Sequence, residues 1–215
     1  EYRSLNEEIN LILLPMENVD GAALHYELQK EHPSWRHCTC YSNSLGSDLM
    51  VNYFCPDTIH TEANAFTRIA ETWLPDAFID LHGVPHHEIA QQFDQLTGYK
   101  GLWLPRTPLC AFYFHVDDPR FASNRDLSLS WKQGVDRRYE NWGEFKRLSE
   151  DYNERFIKYS WGGIDESYPC EYRGSMLDYW VPSPYNARHP YPTISLPWIF
   201  SVMFTAEAAD ETAHG

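Results

Sequence analysis

The sequence is poor in positive charge, in long apolar runs and in paired cysteines, and each shortage removes a class of function. It carries 17 Lys+Arg against 31 Asp+Glu, a net charge of -14. An acidic surface repels phosphates, so neither nucleic acid nor an anionic membrane is expected as a partner. No apolar run approaches the roughly 18 residues of a membrane span. The five cysteines, at 38, 40, 55, 110 and 170, are odd in number and contain no C-x-x-C. Cys38 and Cys40 are too close in sequence to bridge easily, so the cysteines read as free thiols in a reducing compartment, the cytoplasm being the first choice. There is no internal repeat and no low-complexity stretch. What remains is 215 residues, enough for one domain with its own core. It is rich in aromatic side chains, with 8 Trp and 14 Tyr.

The stretch from Pro75 to Glu88 organises the rest. Ala77 to Leu81 is an apolar run of strand length. Gly83 and Pro85 are expected to end it. Asp80 and His82, two apart, share a face if the run is a strand. His82, His86, His87 and Glu88 fall within seven residues, and imidazole and carboxylate are ligands of catalytic zinc. A solvated turn explains the same residues equally well.

Upstream, Ile9 to Leu14 is nearly all apolar, as in a strand covered on both faces of a parallel sheet. Glu17 to Gly21 is turn chemistry, and a short helix is expected over 22–30, with Leu24 and Leu28 on one face. Residues 31–60 are irregular. Phe66, Ile69, Ala70 and Trp73 form an apolar stripe on a helix over 61–73. Strand, helix, loop, helix and strand alternate, which implies an α/β fold with parallel strands. Further on, Cys110–His115 reads as a strand. Residues 130–158 carry a helical stripe that includes Trp131, Val135, Tyr139, Phe145 and Tyr152. Residues 161–193, with Gly162, Gly163 and several prolines, read as loop. Ile199–Thr205 reads as a last buried strand ending at Ala206-Glu207.

A zinc hydrolase needs ligands, a carboxylate base for water and a cation for the oxyanion. His82, Glu207 and Arg36 suit one role each. Each also has a plainer explanation, as an exposed imidazole, a loop carboxylate and a solvated arginine.

The order of these pieces resembles the zinc carboxypeptidase family, the carboxypeptidase A-like metallopeptidases. Leu13-Leu14-Pro15-Met16-Glu17-Asn18-Val19-Asp20-Gly21 resembles the family's P-x-x-N-P-D-G segment, with Val19 where Pro is usual. Trp35-Arg36 resembles its oxyanion-stabilising arginine. Asp48 to Phe54 resembles D-L-N-R-N-F. Glu62-Ala63 and Ile79-Asp80-Leu81-His82-Gly83 resemble the stretch whose histidine is the third zinc ligand. Phe204-Thr205-Ala206-Glu207-Ala208-Ala209-Asp210 resembles the F-T-x-E-x-x-D strand end that carries the general base. These motifs span residues 11–210 in the family order.

The resemblance implies a three-layer α/β sandwich around a central mixed, largely parallel sheet of the zinc-exopeptidase type. It implies a metallopeptidase-like hydrolase acting on the C-terminal residue of a peptide or on a related amide. His82 would be a metal ligand, Glu207 the base, Arg36 the oxyanion and substrate cation and Asn52 a substrate contact. The family's H-x-x-E ligand pair is absent. The expectation is therefore one catalytic domain over 1–215, cut at both ends, with its remaining Zn2+ ligands upstream of residue 1 and an aromatic-rich insertion over 98–190. His86, His87 and Glu88 are the other candidates for ligands. Met50 and Val51 stand where the family clamps a substrate carboxylate with Asn-Arg, so Arg173 or Arg188 could supply that cation. The same departure leaves open an amidase or deacylase on this scaffold, and loss of the metal would leave a non-catalytic binding module.

Overall fold

The computed structural model describes residues 8–33, 45–55, 57–85, 107–159, 170–172 and 177–210. The chain forms two compact units, Glu1–Ile69 and Ala70–Gly215.

In the first unit, residues 9–14 do not form the expected strand, and Leu11 and Leu13 are exposed. An apolar run becomes a strand only where neighbouring backbones take up its N–H and C=O groups, and the sequence does not show whether such neighbours exist. Helix α1 (Val19–Glu31) begins earlier than expected, because Asn18 is its N-cap: its side-chain oxygen accepts from Gly21 N–H at 2.9 Å. A Cβ at residue 21 would lie 2.3 Å from the Asn18 amide, so glycine leaves the cap its room. Leu24 is exposed. Helix α2 (Thr61–Trp73) matches the expected span. It buries Ala63, Phe66 and Ala70, whereas Trp73 at its end is exposed. Tyr53 stacks on Phe66, ring centroids 4.2 Å apart.

Among the described residues the second unit is α/β, built on an open five-stranded sheet in the order β1-β5-β2-β4-β3. The strands are β1 (Ala77–Pro85), β2 (Leu109–Val116), β3 (Cys170–Tyr172), β4 (Leu177–Ser183) and β5 (Val202–Asp210). The sheet is mixed. β1 runs parallel to β5 over nine residue pairs and β2 parallel to β4 over seven, and these are the longer ladders. β2 pairs antiparallel with β5, and β3 with β4.

Every residue of the central strand β2 is buried. Leu109, Ala111 and Tyr113 join Phe204 and Ala206 on one face. That face lies under α3 (Ala122–Glu140) and α4 (Gly143–Tyr159), which contribute Trp131, Val135, Tyr139 and Phe145. Cys110, Phe112 and Phe114 join Tyr179 and Met203 on the other, where Ile194 of the short helix α5 (Pro192–Ser195) packs. Thr193 Oγ1 donates to Phe114 O at 3.0 Å and ties α5 to the sheet. Helices therefore cover both faces. The stretch 98–190 supplies the central strand and β4, and of its described aromatic side chains Phe112, Tyr113, Phe114, Phe145, Tyr152 and Tyr179 are buried.

Four boundaries differ from expectation. The stripe over 130–158 is two helices, broken at Asn141-Trp142, where Asn and Gly143 favour a turn. Strand β4 lies inside the stretch read as loop. Its Pro182 stands beyond the part of β4 that β3 pairs with, so on that side no N–H is required. β1 continues through Gly83 to Pro85. Among the described residues it is the edge strand, and an edge tolerates a residue without an N–H. β5 starts later than expected, at Val202, and continues past Glu207 to Asp210 as β1's partner.

One buried polar cluster escaped sequence reading. Lys132 Nζ of α3 lies 2.8 Å from Asp136 Oδ2, one helical turn on, and 2.8 Å from Asp178 Oδ2 of β4. Burial alone would push the Lys132 ammonium down, but the two carboxylates outweigh it and its pKa rises. Burial, with the Asp136 carboxylate beside it, outweighs the pull of Lys132 and pushes Asp178 up to about 7.

Candidate functional site

The parallel pair of β1 and β5 brings two of the sequence candidates, His82 and Glu207, into register. Asp76 O accepts from Ser201 N–H and Val202 N–H at 2.8 and 3.2 Å, pinning the start of the register. From there Phe78 pairs with Met203, Asp80 with Thr205 and His82 with Glu207. Phe78 and Met203 belong to the core cluster on the α5 face. Alternation along a strand assigns positions 80 and 82 of β1, and 205 and 207 of β5, to that same face. His82 and Glu207, far apart in sequence, are thus in register on neighbouring strands.

Asp80 and His82 meet as their spacing requires: His82 Nε2 is 3.0 Å from Asp80 Oδ2. Their side chains are 31% and 24% exposed, so the pair is partly sheltered yet open to solvent. Beside Asp80 in register, Thr205 is buried and its hydroxyl has no hydrogen-bond partner among the described residues. Sequence reading missed Thr205, although the register that equates Asp80 with it follows from equating His82 with Glu207. The opposite face of β1 presents Ile79 and Leu81 to solvent.

Asn52 belongs to the first unit. Its amide Nδ2 donates to Asp48 O at 2.8 Å and to Ser47 Oγ at 3.2 Å, and its Oδ1 accepts from Thr58 Oγ1 at 3.4 Å. The side chain holds its own loop together. Arg188 is exposed, and its backbone N–H donates to Asn186 Oδ1. Arg36, His86, His87, Glu88 and Arg173 lie outside the described residues. Cys55 is exposed and Cys110 is buried, neither in a disulfide.

A carboxylate beside an imidazole is the kind of neighbour that orients a metal-ligating histidine, and Asp80 stands in ion-pair range of His82. Among the described residues there is no group of three or more His, Cys, Asp or Glu that could hold an ion. No family model, curated protein or solved structure matches the chain.

Proposed function

We propose that this chain belongs to a zinc-dependent hydrolase of the carboxypeptidase-like class. It would cleave the C-terminal residue of a peptide or a related amide bond, on a three-layer zinc-exopeptidase-like scaffold. The observation that carries the reading is the register of His82 and Glu207 on adjacent parallel strands, with Asp80 on His82. In this reading His82 is one zinc ligand, and the others come from upstream of residue 1. Zinc, when bound, polarises the scissile carbonyl and lowers the pKa of the attacking water. Glu207 takes the proton from that water and passes it to the leaving amine. Arg36 balances the charge that develops on the carbonyl oxygen.

A second reading, an amidase or deacylase on the same scaffold, gains from Asn52. Its amide is used inside its own loop, which leaves it poorly suited to clamp a substrate carboxylate. A panel of peptides with free and amidated C-termini, set against N-acyl amino acids, separates the two readings.

The mechanism is tested by activity and bound zinc together, in the full-length protein. Glu207→Gln lowers kcat by about 10²–10⁴ with zinc content unchanged. Arg36→Ala lowers kcat by about 10²–10³, as loss of an oxyanion donor does elsewhere. His82→Ala loses the metal itself. Near-normal turnover of Glu207→Gln would leave the mechanism without a base.

A further inference from the structure

β1 has the composition of an interior strand but stands at an edge. Among the described residues it pairs with β5 alone. Its sequence, Ala77–Pro85, holds no Lys or Arg, the charges that usually guard an exposed edge. One face of it is apolar and open: Ile79 and Leu81 are 45% and 79% exposed. The core cluster under α3 and α4 draws on β2 and β5 and stops short of β1. Strands of a parallel pair are ordinarily covered on both faces. This corner of the sheet therefore offers apolar surface and strand backbone together.

The direction of that backbone follows from the ladder. Asp76 O accepts from Val202 N–H at 3.2 Å. N–H and C=O groups alternate sides along a strand, so the even-numbered residues of β1 turn theirs to β5 and the odd-numbered ones outward. Residues 77, 79, 81 and 83 present both groups to the edge, and Pro85 presents only its C=O.

A second β1, running antiparallel about a twofold axis at Leu81, matches these groups. Leu81 then faces Leu81 of the second copy, and Ile79 faces Gly83, as hydrogen-bonded pairs. Pro85 falls in the terminal pair, opposite Ala77, where the missing N–H matters least. Asp80 faces His82 of the second copy in the non-hydrogen-bonded pair, the kind in which side chains come closest. An axis one residue earlier sets Asp80 against Asp80, and one residue later sets His82 against His82. Charge thus selects the register that backbone direction also permits. The same surface supplies both halves of every pair, as an isologous interface requires.

We propose that the free edge of β1 is an interface between two copies of this chain, with β1 pairing antiparallel to its counterpart about Leu81 and the two sheets becoming one. The proposal is independent of the hydrolase reading, and none of its tests reads activity.

Sedimentation velocity of the full-length protein over a dilution series is the first test. A strand pair lies at the small end of stable interfaces, so a dissociation constant on the order of micromolar is expected. Leu81→Lys sets two ammonium groups against each other at the axis and should weaken association by about 10-fold or more. Its side chain is exposed, so the fold should survive, as far-UV circular dichroism will show. Leu127→Lys, at an exposed position on α3, should leave association unchanged. Amide hydrogen exchange is the second test. The Ile79 and Leu81 amides should exchange fast in the dilute monomer and slowly in the dimer, while those of Phe78 and Asp80 stay slow in both. Leu81→Cys should oxidise to a dimer whose linked peptides join the two 81 positions, since such pairs hold Cα atoms about 5.5 Å apart, within disulfide reach. A protein that remains monomeric well above the micromolar range overturns the inference, as does a dimer that Leu81→Lys leaves intact. Slow exchange at Ile79 and Leu81 in a monomer overturns it too, by showing that another segment of the same chain occupies the edge.

Discussion

Replacing Asp178 with asparagine should change how stability depends on pH more than stability itself. Asp178 and Asp136 share one ammonium, Lys132, and all three side chains are at most 6% exposed. The Tyr113 phenol also lies near Asp178, and burial pushes its pKa far up. In the folded chain the Asp178 carboxyl keeps its proton up to about pH 7, against an ordinary value of 3.8. The unfolded chain releases that proton first, so the folded state binds more protons between these values. Stability from this group is complete below the ordinary value and is lost as pH rises through about 7. The slope is about 1.4 kcal/mol per pH unit, so the loss between pH 5 and pH 8 reaches about 3 kcal/mol. In a domain of this size that is roughly 6–12 °C in Tm. Asp178→Asn keeps the shape and an acceptor for Lys132 but cannot ionise. Thermal or urea unfolding, followed by tryptophan fluorescence at half-unit steps, should show the advantage of wild type over the variant shrinking by that amount from pH 5 to pH 8. Lys132→Met, which strands two buried carboxyls, should cost about 3–5 kcal/mol at pH 8 and less at pH 5. Parallel profiles for wild type and Asp178→Asn would show that Asp178 is ionised throughout and refute the argument.

His115 should act in the opposite direction. It is buried against Trp180, ring centroids 4.3 Å apart, and burial holds its pKa below the ordinary 6.5. Its contribution is present above that value and lost as pH falls toward the folded one, so wild type should lose stability relative to His115→Phe between pH 7 and pH 5, by at most about 1.4 kcal/mol per unit. Asn18→Ala should cost about 1 kcal/mol by removing the cap of α1, read as faster hydrogen exchange at the Gly21 amide.

Much of the second unit could be read from the chain itself. Strands β1, β2 and β5 announce themselves as apolar runs of strand length, and α2 as an apolar stripe of helical period. The shared face of Asp80 and His82 follows from the two-residue period of any strand. These features are local, and the chain's own geometry enforces them. The tertiary structure decided the rest. Residues 9–14 have the composition of β1 but form no strand, because strand formation depends on a neighbour's hydrogen-bonding groups and not on the run's own residues. β4 is a strand within a Pro- and Gly-rich stretch because β2 lies beside it. β1 passes through Gly83 and Pro85 because it is an edge. Lys132, Asp136 and Asp178 carry no local signal of their cluster, which exists only where α3 packs on the sheet and sets them against each other. The candidate site divides in the same way. The order of the motifs pointed to His82 and Glu207, but their register, and Thr205 beside Asp80, exist only where β1 lies against β5, since no local rule links residues so far apart along the chain.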